Sequence, residues 1–313
     1  MNILDKISEV SGMPRTMCLR FIVSAPIRYK RYEIPKRNGR GVRLIAQPSK
    51  SVKPLQKACI GELRDILPIH PAALAYEVGT GIKRNANKHR YNRYLLKMDF
   101  TDFFPSIKPD VLLSTLEQHN VELTEEDKSV LSSLLFWKPT RGDSNLELSI
   151  GAPSSPFISN AVMYFFDVTV EDYCKQRGIV YTRYADDLFF STNASDILFD
   201  VPRFLSGLVQ KPNLAFLRFN NDKTVFASKK VNRHITGITI TNDGRLSLGR
   251  KRKRKISSLI HRFSLQQLTN PEEINELKGL LGFAKHIEPI FLIRMYNKYG
   301  RDTILKIQKF NSD

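Results

Sequence analysis

Cysteine is scarce in this 313-residue chain: Cys18, Cys59 and Cys174 stand far apart and are odd in number. That excludes a disulfide framework or a CxxC metal site and points to a reducing compartment. Long apolar runs are missing as well. No stretch approaches the ~20 residues that a membrane-spanning helix needs, and the N-terminal segment lacks a signal-peptide core. A protein of the cell interior, with no membrane partner, is the expectation. Acidic residues are few beside basic ones, 31 against 49, for a net charge of +18 and a pI near 9.8. Such a surplus points to a polyanionic partner, bound by neutralising phosphates and releasing their counterions. It is also concentrated: residues 244–313 carry 15 Lys and Arg against 6 Asp and Glu. Repeats and low-complexity tracts are absent apart from the basic run Arg250–Lys255.

The rest is an ordinary globular balance, 42% hydrophobic and 26% charged, enough for a large core in one domain or a few subdomains. Patterning predicts two short helices over 2–24, broken near Gly12-Met13-Pro14. Apolar and basic residues then flank Asn38-Gly39, the strongest short-range hairpin signal. The predicted ribbon runs from Tyr32 to Ile45 and carries Lys36 and Arg43. Helices are predicted over 53–67, 81–91, 108–118 and 124–137, with a strand at 94–100. Gly151-Ala152-Pro153-Ser154-Ser155-Pro156 opens a predicted long apolar helix reaching about Gln176. A hairpin over 178–192, a helix over 196–210, short strands through 214–248 and three closing helices complete the pattern. Strands interleaved with helices, then a helical tail, make an α+β protein with an all-helical appendage.

Two acidic strings carry the chemistry. Leu95-Leu96-Lys97-Met98 leads into Asp99, and Ile179-Val180-Tyr181 precedes Tyr184-Ala185-Asp186-Asp187, which Leu188-Phe189-Phe190 follows. Strand, acidic tip and strand make a hairpin that lifts Asp186 and Asp187 to one sheet edge. A lone Asp-Asp pair on a turn is usually a solvated loop. If the Asp99 strand lies beside the hairpin, however, three carboxylates converge, a donor set suited to Mg²⁺. Two such ions clamp the attacking and leaving oxygens of an in-line phosphoryl transfer.

Tyr184-Ala185-Asp186-Asp187 resembles the YxDD box of reverse transcriptases, and Asp99 to Phe104 resembles their first palm motif. The resemblance implies a right-hand polymerase fold. Residues 1–92 are expected to form fingers, 93–243 a palm of antiparallel sheet plus helices, and 244–313 an all-helical, RNA-binding thumb. It implies RNA-directed DNA synthesis from dNTPs with two Mg²⁺ ions, Mn²⁺ being tolerated, held by Asp99, Asp186 and Asp187. Lys223 matches the lysine that protonates departing pyrophosphate. Asp102 and Phe103 continue the nucleotide-facing turn, although Phe103 reads equally well as core. Phe104 matches the bulky residue that excludes a ribose 2′-hydroxyl. Lys36 and Arg43 fall where the family's ribbon reaches the triphosphate. The Gly151 string is similar to the second motif of the family, which shapes the nucleotide pocket. A Gln usually precedes that glycine; Ile150 stands here, so no role carries over to it.

Two further strings narrow the resemblance. Asn85-Ala86-Asn87-Lys88-His89 fits the NAxxH signature of retron reverse transcriptases, and Ile235-Thr236-Gly237 falls where they carry VTG. Likeness to retrons implies a bacterial, cytoplasmic enzyme that binds its own structured non-coding RNA. It primes from a guanosine 2′-hydroxyl and leaves a short single-stranded DNA joined 2′,5′ to that RNA (msDNA). It also implies anti-phage defence beside an effector or toxin protein. The RNA contacts expected are Asn85, His89 and the run Arg250, Lys251, Arg252, Lys253, Arg254, Lys255, although a lone histidine like His89 is more often a helix cap or a packed side chain than a ligand. A group II-like or diversity-generating reverse transcriptase, or an idle RNA-binding antitoxin subunit, is the alternative.

Overall fold

The computed structural model describes residues 3–36, 41–140, 142 and 144–310. The helices of the first half are α1 (Ile3–Ser11), α2 (Arg15–Val23), α3 (Val52–Arg64), α4 (Ile82–His89), α5 (Phe103–Ser106), α6 (Pro109–Gln118) and α7 (Glu125–Leu135). Then come α8 (Ser155–Ala161), α9 (Tyr164–Lys175), α10 (Val201–Leu208), α11 (Arg250–Ser264), α12 (Pro271–Ile287), α13 (Pro289–Tyr299) and α14 (Arg301–Lys309). The strands are β1 (Tyr29–Pro35), β2 (Val42–Pro48), β3 (Tyr94–Asp99), β4 (Val180–Tyr184), β5 (Asp187–Thr192), β6 (Val225–Ser228), β7 (Arg233–Ile235), β8 (Ile238–Ile240) and β9 (Leu246–Ser247). Three sheets result: the ribbon β1-β2, the four-stranded order β4-β5-β3-β6, and β7-β8-β9. Among the described residues no helix is long and apolar enough to cross a membrane.

Two compact units divide the chain, one formed by the segment up to Gly79 with Leu96–Val225, the other by Thr80–Leu95 with the segment from Phe226. In the first, the amphipathic helices α1, α2, α3 and α7 bury Ile3, Leu4, Ile7, Ile22, Leu63 and Leu131 against one another. Each such side chain contributes about 1.5–3 kcal/mol by leaving water. α7 begins with a capping box in which Thr124 and Asp127 satisfy each other's backbone N–H groups. Antiparallel β1 and β2 pair Ile34 with Arg43 and Pro35 with Val42. The predicted turn at Asn38-Gly39 lies outside the described residues.

Two predicted elements differ from the structure. The long helix after Pro156 is two, α8 and α9, because Met163 takes φ −90°, ψ 0° and its N–H reaches back only to Asn160 O (3.3 Å). The closing segment holds four helices rather than three. Pro289 starts α13, and Gly300, at φ +83°, ends it before α14, a backbone setting that costs glycine nothing.

In the second unit, α4 packs on the β7-β8 hairpin. Asn85, Ala86 and His89 form its buried face, and Thr236 Oγ1 donates to Ile82 O at 3.5 Å. The two retron-like strings therefore meet at a half-buried contact. Burial, with Lys88 adding, pushes the His89 pKa down to about 3. The folded chain thus holds this imidazole neutral while the unfolded chain takes up a proton near pH 6.5. Its contribution is full above that pH and is lost as pH falls toward 3. Replacing His89 with Gln is expected to flatten the decline of thermal stability between about pH 6.5 and pH 4; an unchanged slope in melting temperature against pH would refute the neutral, buried state.

Candidate active site

The β4-β5 register sets Tyr184 opposite Asp187, leaving Ala185 and Asp186 as a two-residue turn. Such a turn demands positive φ at its first position, and Ala185 supplies it at φ +56° without being glycine. What holds this backbone is a buried cation. Arg183 is fully buried, and its Nη1 donates to Ala185 O at 3.2 Å. The guanidinium forks onto Asp167 of α9, Nη2 to Oδ2 at 2.6 Å and Nε to Oδ1 at 2.9 Å, and Nη1 also donates to Asn160 Oδ1 of α8 at 3.1 Å. Tyr181 Oη donates to Asp167 Oδ1 at 2.7 Å, so the carboxylate is enclosed by donors. Sequence reasoning missed Arg183, Asp167 and Asn160. The signal was a charge inside an otherwise apolar strand and another inside an apolar helix, each of which requires a partner.

Beside the hairpin, the end of β3 is pinned from both sides. Phe100 N donates to Asp186 O (3.1 Å), while Asn220 N donates to Asp99 O (2.8 Å) and Thr101 N to Arg218 O (2.8 Å). Asp99, Asp186 and Asp187 are thereby brought together. Burial, followed by the Asp99 charge, raises the Asp186 pKa. Burial pushes Asp187 up to about 6 against the pull of Lys97, with Asp186 and a hydrogen bond to Asp99 adding to the rise. Two lysines answer the crowded charge: Lys223 Nζ to Asp99 Oδ1 and Lys97 Nζ to Asp187 Oδ1, both at 2.8 Å. Lys223 was expected here; Lys97, inside the β3 run, was not. No group of three His, Cys, Asp or Glu among the described residues is already drawn around a common ion position. The donor chemistry, oxygen-only acids carrying excess negative charge, fits a hard divalent cation.

Around these acids the other expected residues distribute unevenly. Lys36 and Arg43 are exposed, and the ribbon register puts them on one face, because Arg43 pairs with Ile34, two positions before Lys36. Arg43 also lies close enough to lower the Asp186 pKa. Gly151, at φ +126°, sits where a Cβ would come within 3.0 Å of Ile45 Cγ2 and 3.1 Å of Ala46 O. Its neighbour Ile150 acts through backbone, its carbonyl accepting from Ala46 N at 2.9 Å. Asp102 is exposed at φ +46°. Phe103 is core, stacked on Phe100 at 5.6 Å between centroids, whereas Phe104 is half-buried.

The candidate RNA contacts divide. Asn85 and His89 are buried, so neither side chain offers a surface to a macromolecule. Within the basic run, Arg252 Nη1 donates to Gly237 O (2.9 Å), with its guanidinium over the Phe283 ring. Lys253 pairs with Glu288 at 2.5 Å, and Lys255 pairs with Glu276. Arg250, Lys251 and Arg254 are exposed, with no hydrogen bond or ion pair among the described residues.

Comparison with known proteins is consistent with this geometry. Residues 34–240 match the family model described as reverse transcriptase (RNA-dependent DNA polymerase). The chain is 46% identical to the retron Ec83 reverse transcriptase of Escherichia coli over 90% of both chains. It is 31% identical to the retron Ec73 reverse transcriptase of the same species, again over 90% of each. Among solved structures, telomerase from Candida albicans in complex with a telomeric RNA fragment superposes with TM-score 0.50 at 15% identity, over 90% of this chain and 57% of that one. Apo telomerase from Candida tropicalis gives TM-score 0.51 at 13% identity, over 91% and 61%. At such identities the structural likeness concerns the fold alone: mixed helices and antiparallel sheet in the right-hand polymerase arrangement.

Removing one member of a buried ion pair strands the other charge and costs about 3–5 kcal/mol. Asp167→Ala is therefore expected to lower the free energy of urea unfolding by that amount. Lys97→Ala, which removes a part-exposed ammonium, is expected to change it by less than about 1 kcal/mol. Equal effects in the two variants would remove the distinction drawn between them.

Proposed function

The chain belongs to the reverse transcriptases, in their retron branch, and is an RNA-directed DNA polymerase; from that premise we propose the following reaction. The enzyme binds its cognate structured non-coding RNA and primes from a guanosine 2′-hydroxyl within it. It copies part of that RNA into a short single-stranded DNA, leaving a 2′,5′-branched hybrid. The observation that carries this reading is the convergence of Asp99 with the Asp186-Asp187 turn, in a chain 46% identical to a retron enzyme along nearly its whole length. Fingers over 1–92, palm over 93–243 and thumb over 244–313 are the working division of labour.

Reverse transcriptases generally use divalent metal ions, and we assign Asp99, Asp186 and Asp187 as ligands of two Mg²⁺. Bound there, the ions supply a lowered pKa at the primer hydroxyl and neutralise triphosphate charge. The remaining work falls to the chain. Lys223 keeps a raised pKa, because Asp99, Asp186 and Asp187 outweigh its burial, and its side chain is 52% exposed. That makes it a protonated, reachable donor for the departing pyrophosphate oxygen. Lys36 and Arg43, on one ribbon face, offer charge-assisted hydrogen bonds to the triphosphate. Asp102 sits at the nucleotide-facing turn, and the half-buried ring of Phe104 is the surface against which a ribose 2′-hydroxyl would clash. Gly151 keeps the loop beside β2 free of a side chain. A role in anti-phage defence beside an effector protein, in the bacterial cytoplasm, accompanies this reading.

Phosphate binding by the thumb falls to Arg250, Lys251 and Arg254, because Arg252, Lys253 and Lys255 are engaged within the protein. Replacing the first three with Gln is expected to reduce the log–log salt slope of RNA binding by about 2–3. Replacing Arg252 and Lys253 is expected to lower thermal stability first. Identical slopes for wild type and triple variant would reassign the contact.

Co-expression with the DNA flanking the gene, followed by analysis of nucleic acid that only a debranching enzyme resolves, tests the reaction. Wild type is expected to yield branched DNA and to extend an ordinary primer on RNA with Mg²⁺ and dNTPs. Asp186→Asn with Asp187→Asn is expected to abolish both while RNA binding persists. Primer extension without branched product would return the enzyme to a generic polymerase.

A further inference from the structure

Residues 70–76 belong to no strand, yet the backbone is clamped like one. Arg183 N donates to Ala72 O and Leu74 N donates to Arg183 O, both at 2.8 Å, with Ala73 bridging Arg183 in parallel sense along the outer edge of β4. Asn160 Nδ2 then donates to Ala75 O at 2.9 Å. Ala72, Ala73, Leu74 and Ala75 are all buried. The same two residues that steady the Ala185 turn, Arg183 and Asn160, therefore fix this segment up to its last buried position.

Tyr76 comes next and behaves differently. Its backbone enters the left-handed region at φ +69°, unfavourable for an aromatic residue, and it is 49% exposed. A large ring left half in water on a strained backbone is not there for the core. Strain of this kind, held in place by surrounding hydrogen bonds, clusters where a ligand is met. Its place follows from the anchor one residue earlier: Ala75 is held by Asn160, which accepts from the same Arg183 that holds the Ala185-Asp186 turn, and the Asp186 charge adds to the burial that raises the Tyr76 pKa. The ring thus follows directly on a segment tied to the Asp186 turn, and the charges of Asp186 and of Arg43 on the ribbon both act on it. Beside an aspartate, its neighbour of choice is an uncharged flat surface rather than a phosphate. Aromatic faces take nucleobases in this way without regard to sequence.

We propose that Tyr76 is a base-stacking residue of the polymerisation site, its ring taking the face of a nucleobase where template and incoming nucleotide pair. This rests on the polymerase reading of the site. The base comes from one of two sources, the template or the incoming triphosphate.

The test uses the full chain with intact carboxylates on an RNA template and a primer ended by a dideoxynucleotide, so that no bond forms. In one arm 2-aminopurine occupies the first unpaired template position; in the other the incoming nucleotide is 2-aminopurine deoxynucleoside triphosphate opposite uridine. Stacking quenches its fluorescence. Wild type, Tyr76→Phe and Tyr76→Trp are expected to quench in one arm, and Tyr76→Ala to lose that quench while raising the Kd of the same component about tenfold. Tyr76→Gly keeps the favoured backbone and loses only the ring, so it folds at least as well and is expected to match Tyr76→Ala. Unchanged quenching in both arms, or a Tyr76→Phe as defective as Tyr76→Ala, overturns stacking. Wild type that fails to extend a normal primer overturns the polymerase reading itself, which this fluorescence does not measure.

Discussion

The architecture of the candidate site rests on one buried ion pair. Arg183, without solvent, is satisfied by Asp167, Asn160 and the carbonyl of Ala185. Taking a guanidinium and a carboxylate out of water is expensive, and only full hydrogen bonding makes it tolerable. What the arrangement provides is specificity of position. A turn with a left-handed alanine next to two aspartates has little intrinsic reason to be stable. Here Arg183 of β4 holds it by its carbonyl, and Asn160 of α8 and Asp167 of α9 hold Arg183.

Above that support, the chemistry is one of deliberately crowded charge. Carboxylates buried side by side resist ionisation, and the raised pKa values of Asp186 and Asp187 express that cost. Lys223 and Lys97 offset part of it in the free protein. Such a cluster weakens the fold locally, and its unmet negative charge on oxygen is the donor chemistry that suits a hard divalent cation. The second unit uses its charge differently. Glu288 collects Lys253, Ser247 Oγ and Leu248 N, so that a run that reads as uniformly basic is half structural.

Much of this was legible in the chain. Strand, turn and strand around Asp186 and the strand into Asp99 follow from the apolar runs that flank the acids, and the ribbon follows from residues on either side of Asn38-Gly39. The helix break at Met163 was not legible, because Ser155–Lys175 is apolar enough to continue as one helix and only the backbone at Met163, with its N–H reaching back to Asn160 O, makes the break. Gly300 ending α13 was a missed signal rather than an absent one. Asn85 and His89 were expected as RNA contacts and are interior, since composition does not tell which face of a short helix meets a neighbour.

By itself, then, the sequence determined the acids, the glycine that permits the Ala46 contact, the helix and strand runs, and a basic C-terminal segment. These are decided within a few residues, where backbone sterics and side-chain spacing act. The tertiary structure alone decided that Asp99 meets Asp186, that Arg183 finds Asp167, which three cations of the run stay exposed, and that the segment before Tyr76 is clamped to β4. Those outcomes depend on summed burial and hydrogen bonding between segments far apart in the chain. No local preference encodes that sum.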